Sequence, residues 1–157
     1  MRAEGAHSRV ADPSPVSADA EVELIELLFF AYRDFVGDAD RLLESYKFGR
    51  AHHRALHFVN RRPGLTVADL LDILRITKQS LNRVLRELVT AGFIEQRAGA
   101  ADRRQRLLYA TPKGEELAHE LIAVQGARLS QAIRAMGPGG EARARAFLEG
   151  VSRGAGP

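Results

Sequence analysis

The stretch from Thr66 to Ala110, TVADLLDILRITKQSLNRVLRELVTAGFIEQRAGAADRRQRLLYA, limits the fold more than any other part of the chain. It holds two amphipathic helical patterns joined by a short break, followed by a basic hairpin. In the first pattern Thr66 caps a helix whose apolar positions are Val67, Leu70, Leu71 and Leu74. Asp69 sits in its first turn, where the helix dipole favours negative charge. The break falls at Arg75-Ile76. Thr77 then caps a second helix in which Leu81, Val84, Leu85, Leu88 and Val89 recur at i, i+3, i+4, i+7 and i+8, a single buried stripe. The opposite face carries Lys78, Gln79, Asn82, Arg83 and Arg86. These donor-bearing side chains reach base edges and phosphates when such a helix lies in a major groove.

Ala91-Gly92 ends the second helix, with Gly92 suited to the left-handed position just past the end. Two strand-like runs follow, Phe93 to Ala98 and Gln105 to Ala110, around a polar tip from Gly99 to Arg104. A tip carrying Arg103 and Arg104 beside the second helix is placed to enter the neighbouring minor groove, whose negative potential attracts arginine. Helix, turn, helix and a two-stranded wing together predict a winged helix-turn-helix.

The charge distribution points the same way. The formal net charge is only +3, yet between Arg75 and Arg106 eight basic residues stand against Glu87, Glu95 and Asp102, a local excess of five. On charge alone, a solvated helix face with wing charges accounts for this as well as a nucleic-acid footprint does; the turn geometry favours DNA.

The order of helix, turn, KQSLNRVLRELVTAGFI, a wing containing DRR, an aromatic strand and then Thr-Pro-x-Gly resembles the MarR family of bacterial transcription regulators. The family's wing pattern Asp-x-Arg falls on Asp102 and Arg104, and its strand-ending Leu-Thr-x-x-Gly appears as Ala110-Thr111-Pro112-Lys113-Gly114. The resemblance covers residues 18 to 151. Arg75 departs from the family's turn glycine and asks for either a looser turn or an unusual backbone angle; Ala110 departs from the usual Leu. The resemblance implies a homodimer interlocked through the first and the last two helices. It also implies small aromatic effectors in the crevice between those helices and the winged domain. Candidates to line that crevice are Tyr32, Phe35, Tyr46, Phe48, His53 and His57, although ordinary core and interface packing accounts for each of them more readily. With no cysteine in the chain, the thiol-based peroxide sensing that some relatives use is excluded, as are disulfides and thiolate metal sites.

Outside the motif the chain reads as supporting helices. Residues 1–17 are expected to form a flexible arm, with Gly5, Pro13 and Pro15 among small and charged residues. A long first helix starts after Ser17 and is apolar on nearly every side, through Val22, Leu24, Ile25, Leu27, Leu28, Phe29, Phe30, Tyr32, Phe35 and Val36. That excess independently asks for a second subunit. Gly37 is a candidate bend. A second helix runs from Gly49 to Arg61 and stops at Arg62-Pro63-Gly64. After the wing, Thr111 and Pro112 start a helix that reaches Met136, and a short helix from Glu141 to Val151 follows before a frayed tail. The expected organisation is mainly α: a helical dimerisation region at 18–48 and 112–151, an α+β winged helix-turn-helix with a two-stranded β-wing at 49–111, and a flexible tail at 152–157.

His53 and His57 share a helix face at i, i+4, a spacing that holds a divalent metal if a third ligand joins, but none is visible in the sequence. No glycine-rich phosphate loop, nucleophile-base arrangement or complete ligand set is present, so neither an enzyme nor a cofactor is expected. No apolar run is long enough to span a membrane and no leader-like segment appears, so a cytoplasmic location is expected. The predicted function is a homodimeric regulator, a repressor, that binds a pseudo-palindromic operator in double-stranded DNA and is released by a small aromatic ligand. Lys78, Gln79, Asn82 and Arg83 are the expected base readers; Thr77, Ser80, Arg86 and Arg103 the phosphate contacts; Arg104 the minor-groove finger; and Asp102 holds the wing. A non-specific architectural DNA binder, a winged-helix protein-interaction module and a metal-responsive regulator using His53 and His57 stay open as alternatives.

Overall fold

The computed structural model describes residues 15–152. Most of the expected arm and nearly all of the expected tail lie outside the described residues. The elements run α1 (Ala18–Glu44), α2 (Arg50–Arg61), β1 (Leu65–Thr66), α3 (Val67–Leu74), α4 (Lys78–Thr90), β2 (Ile94–Ala98), β3 (Arg106–Ala110), α5 (Pro112–Ala135) and α6 (Gly140–Val151). Compactness divides the chain inside α1, between Arg33 and Asp34.

In the first unit α1 opens at Ser17, whose hydroxyl accepts from the Ala20 amide at 3.3 Å. The Arg33 guanidinium lies 5.1 Å over the Phe30 ring. Val22, Leu24, Ile25, Leu27, Leu28, Phe29, Phe30 and Tyr32 are all exposed. The helix runs uninterrupted through Gly37.

The second unit holds the core. Ala39 and Leu43 of α1, Ala55, Leu56 and Val59 of α2, Leu70 and Leu74 of α3, and Leu81, Val84, Leu85 and Leu88 of α4 meet Phe93, Ile94 and Leu108 of the wing and Leu117 and Leu121 of α5. The same periodicity that predicted α3 and α4 places these residues inward. The wing differs from expectation in one respect. Its sheet has three strands in the order β1-β3-β2, because Leu65 and Thr66 pair antiparallel with Leu108 and Leu107. A two-residue strand has no periodicity to read, so only its partner reveals it. Between β2 and β3 the register runs from Ile94 opposite Ala110 to Ala98 opposite Arg106.

The junction of the wing with α5 is tight. Thr111 caps α5 by accepting from the Gly114 amide at 3.1 Å, and donates its hydroxyl to the Gly92 carbonyl at 2.6 Å. Its own amide donates to the Phe93 carbonyl at 3.1 Å. A side chain at residue 114 would stand 2.0 Å from that same carbonyl oxygen, so only glycine fits.

Candidate nucleic-acid interface

Both helices of the motif are closed at their starts by threonine. Thr66 accepts from the Asp69 amide at 3.1 Å, while the Asp69 carboxylate accepts from the Thr66 amide and hydroxyl, a reciprocal cap. Thr77 accepts from the Ser80 amide at 3.1 Å and donates to the Ser80 hydroxyl at 2.9 Å. Between the helices, Arg75 takes the left-handed conformation at φ 51° and ψ 46°, so the turn stays tight and the strain falls on Arg75. Arg54 of α2 donates to the Leu74 carbonyl at the end of α3 and so ties the turn to the second helix. Gly92 takes the left-handed angle expected past the end of α4, φ 79°.

At the wing tip the Asp102 carboxylate accepts from the Arg104 amide at 2.9 Å and fixes the turn that carries the two arginines. Gln105 donates to the Asp102 carbonyl and Gly99 to the Gln105 carbonyl, both at 3.1 Å. Farther back, the Arg97 guanidinium covers the Tyr109 ring at 4.2 Å and pairs with Glu95.

Between the amino-terminal side of α3, the exposed face of α4 and the wing lies a groove of about 800 Å³. Val67, Leu71, Leu85 and Val89 contribute its apolar lining; Lys78, Asn82, Arg86, Gln96, Arg104 and Arg106 bring donors, and no acidic side chain among the described residues lines it. A concave surface with four cations and no anion concentrates positive potential where a phosphate chain would pass. Of the residues singled out in the sequence, Lys78, Asn82, Arg86 and Arg104 meet in this groove. Thr77, Gln79, Ser80, Arg83, Asp102 and Arg103 do not line it. Arg106, Gln105 and Gln96 were missed; β-strand alternation in register with Leu108 was the one signal that pointed to Arg106.

The residues proposed for an effector crevice are disposed differently. The Tyr46 and Phe48 rings stack at 6.0 Å and both meet Phe93 edge-on at 5.3 Å. Phe35, His53 and His57 are half-buried and Tyr32 is exposed. Burial holds the pKa of His53 below its ordinary value, helped by His57 and opposed by Asp40; burial and Arg61 do the same for His57. Among the described residues no three His, Asp or Glu side chains gather as a metal site. No helix among them is long and apolar enough to cross a membrane.

Known proteins share this architecture. Residues 46–105 match the model of the MarR family. The HTH-type transcriptional regulator PetP of Rhodobacter capsulatus is 52% identical over 127 residues, covering 81% of this chain and 76% of that protein. The crystal structure of Streptococcus pneumoniae FabT in complex with DNA has the same fold, with a TM-score of 0.75 at 18% identity over 85% of this chain and 95% of that one. The crystal structure of MarR covers 86% of this chain and 96% of its own, with a TM-score of 0.62 at 24% identity. With the capped tandem helices, the three-stranded wing and the extended match to PetP in hand, the chain belongs to the MarR family of winged helix-turn-helix transcription regulators, which bind DNA and are not enzymes.

Proposed function

We propose that the chain works as a homodimer that reads a pseudo-palindromic operator, represses by occupying a promoter, and is released by a small aromatic ligand. The observation that carries the DNA reading is the acid-free groove between α4 and the wing, where Lys78, Asn82, Arg86 and Arg104 converge. Lys78, Gln79, Asn82 and Arg83 read base edges; Thr77, Ser80, Arg86 and Arg103 hold phosphates; Arg104 enters the minor groove from a tip braced by Asp102. The FabT structure, similar in fold, is a complex with DNA.

Dimerisation is supported by the apolar side chains left uncovered: Val22, Ile25, Leu28 and Phe29 on α1, and Phe147, Leu148 and Val151 on α6. Apolar exposure on this scale marks an interaction surface. A two-fold dimer carries two copies of α4 and spaces its half-sites by about 10 bp. Residues 18–48 and 112–151 form the dimerisation region and 49–111 the DNA-binding region in this reading. An effector bound near Tyr32, Phe35, Tyr46, Phe48, His53 and His57 acts by preferring one spacing of the two recognition helices.

The test is footprinting of the upstream DNA at several salt concentrations, with and without a panel of aromatic acids, beside a light-scattering mass. A protected pseudo-palindrome released by one acid supports the full reading. Protection that no acid disturbs removes the effector, protection without a preferred sequence points to an architectural binder, and a monomeric mass removes the half-site geometry.

A further inference from the structure

His52 is the one polar or charged side chain buried in the core among the described residues, 7% exposed. Its surroundings determine what it does. Nδ1 accepts from the Gly49 amide at 3.1 Å, so the ring hydrogen sits on Nε2. Nε2 lies 2.5 Å from Oε2 of Glu87, thirty-five residues away on α4. The ring stacks on Phe48 at 4.7 Å with the planes 11° apart, and Phe48 in turn meets Phe93, just beyond the end of α4. Both ring nitrogens and one ring face are thus committed, and the bond that reaches another helix goes to α4.

Glu87 follows Arg83 by four residues, so it stands on the flank that Arg83 shares. The other flank of α4 borders the wing groove through Lys78, Asn82 and Arg86. The core seats the apolar side of α4, and the bond from His52 to Glu87 ties one flank against rotation about the helix axis. At the radius of about 5–6 Å that a helix has with its side chains, a roll of about 10° displaces a side-chain tip by about 1 Å. Base-edge hydrogen bonds do not survive that displacement, because a binding constellation must be held within about 0.5 Å.

We infer that His52 is a positioning residue for DNA readout: by donating to Glu87 it sets the roll of α4, and with it the angle at which Gln79, Asn82 and Arg83 meet the bases. The inference rests on the reading of α4 as the base-reading helix. His52 and Glu87 touch no DNA in this role. Their loss lowers sequence discrimination more than overall attraction to DNA.

The experiment uses the full chain. A duplex is selected from a random library with the unaltered protein, and its affinity is compared with that of a scrambled duplex of the same composition. Glu87→Gln and Glu87→Ala both remove a carboxylate charge, which raises affinity for either duplex alike, but only Gln keeps an acceptor for His52. The Glu87 side chain is 43% exposed, so neither change disturbs the core. Glu87→Gln is expected to keep the selected-to-scrambled ratio within about twofold, and Glu87→Ala to lower it about tenfold. His52→Gln, which keeps a donor toward Glu87, should restore most of the ratio lost in His52→Leu. The double variant His52→Leu/Glu87→Ala should be no worse than Glu87→Ala alone. Equal ratios for Glu87→Gln and Glu87→Ala, or additive losses in the double variant, overturn the inference. An unaltered chain that does not distinguish the two duplexes overturns both the inference and the operator reading beneath it.

Discussion

Replacing Gly114 with Ala sets helix propensity against packing. In the interior of an exposed helix the change adds about 1 kcal/mol. Here the new Cβ would lie 2.0 Å from the Phe93 carbonyl oxygen and 2.9 Å from its carbon, and both atoms belong to the backbone. A Cβ does not approach closer than 3.0 Å, so the first turn of α5 must retreat by at least about 1 Å. That retreat breaks the bond from the Thr111 amide to the Phe93 carbonyl and the one from the Thr111 hydroxyl to the Gly92 carbonyl. Two such bonds are worth about 1–3 kcal/mol together, and overpacking a close junction costs about 1–3 kcal/mol more. Set against the gain in propensity, the net loss is about 3 kcal/mol, or a fall in Tm of about 6–12 °C for a chain of this length. Thermal and urea unfolding at one fixed protomer concentration measure it. Gly37→Ala is the matched control, because its Cβ would meet only the end of the Arg41 side chain at 3.9 Å, and it should gain stability. A Gly114→Ala protein as stable as the parent would refute the reasoning.

Arg104→Ala should weaken operator binding, lower the slope of log affinity against log salt by about one, and relax preference at the operator flanks; salt titrations of duplex binding check it. Arg75→Gly should change stability by less than about 1 kcal/mol, since relief of the left-handed strain is offset by a freer unfolded chain, whereas Arg75→Val should cost more than about 1 kcal/mol in the same melts. His53 and His57 bind protons less readily folded than unfolded. Their contribution to stability is therefore complete above pH 6.5 and declines as the pH falls below it. Urea midpoints between about pH 7.5 and 5 should show that decline, and His53→Gln/His57→Gln should flatten it.

The sequence determined the features that depend on residues within a turn of one another. Thr66, Thr77 and Thr111 each close a helix through an amide three residues on, so threonine before an apolar period was enough to place three helix starts. Gly92 past the end of α4 and the stripe from Leu81 to Leu88 were legible for the same reason. Even the excess of apolar residues on α1 could be counted in advance, and its side chains are uncovered in the single chain. Tertiary structure decided whatever joins distant segments. The strand at Leu65 and Thr66 exists only because Leu107 and Leu108 arrive beside it. Arg75 holds a left-handed angle because α3 and α4 are both anchored in the core. Gly114 is irreplaceable because Phe93 presses on it. Nothing in the sequence links His52 to Glu87; the fold closes the gap of thirty-five residues between them. Local signals need only the geometry of a helix turn, which every chain shares; these long-range pairs depend on how the core brings two helices together.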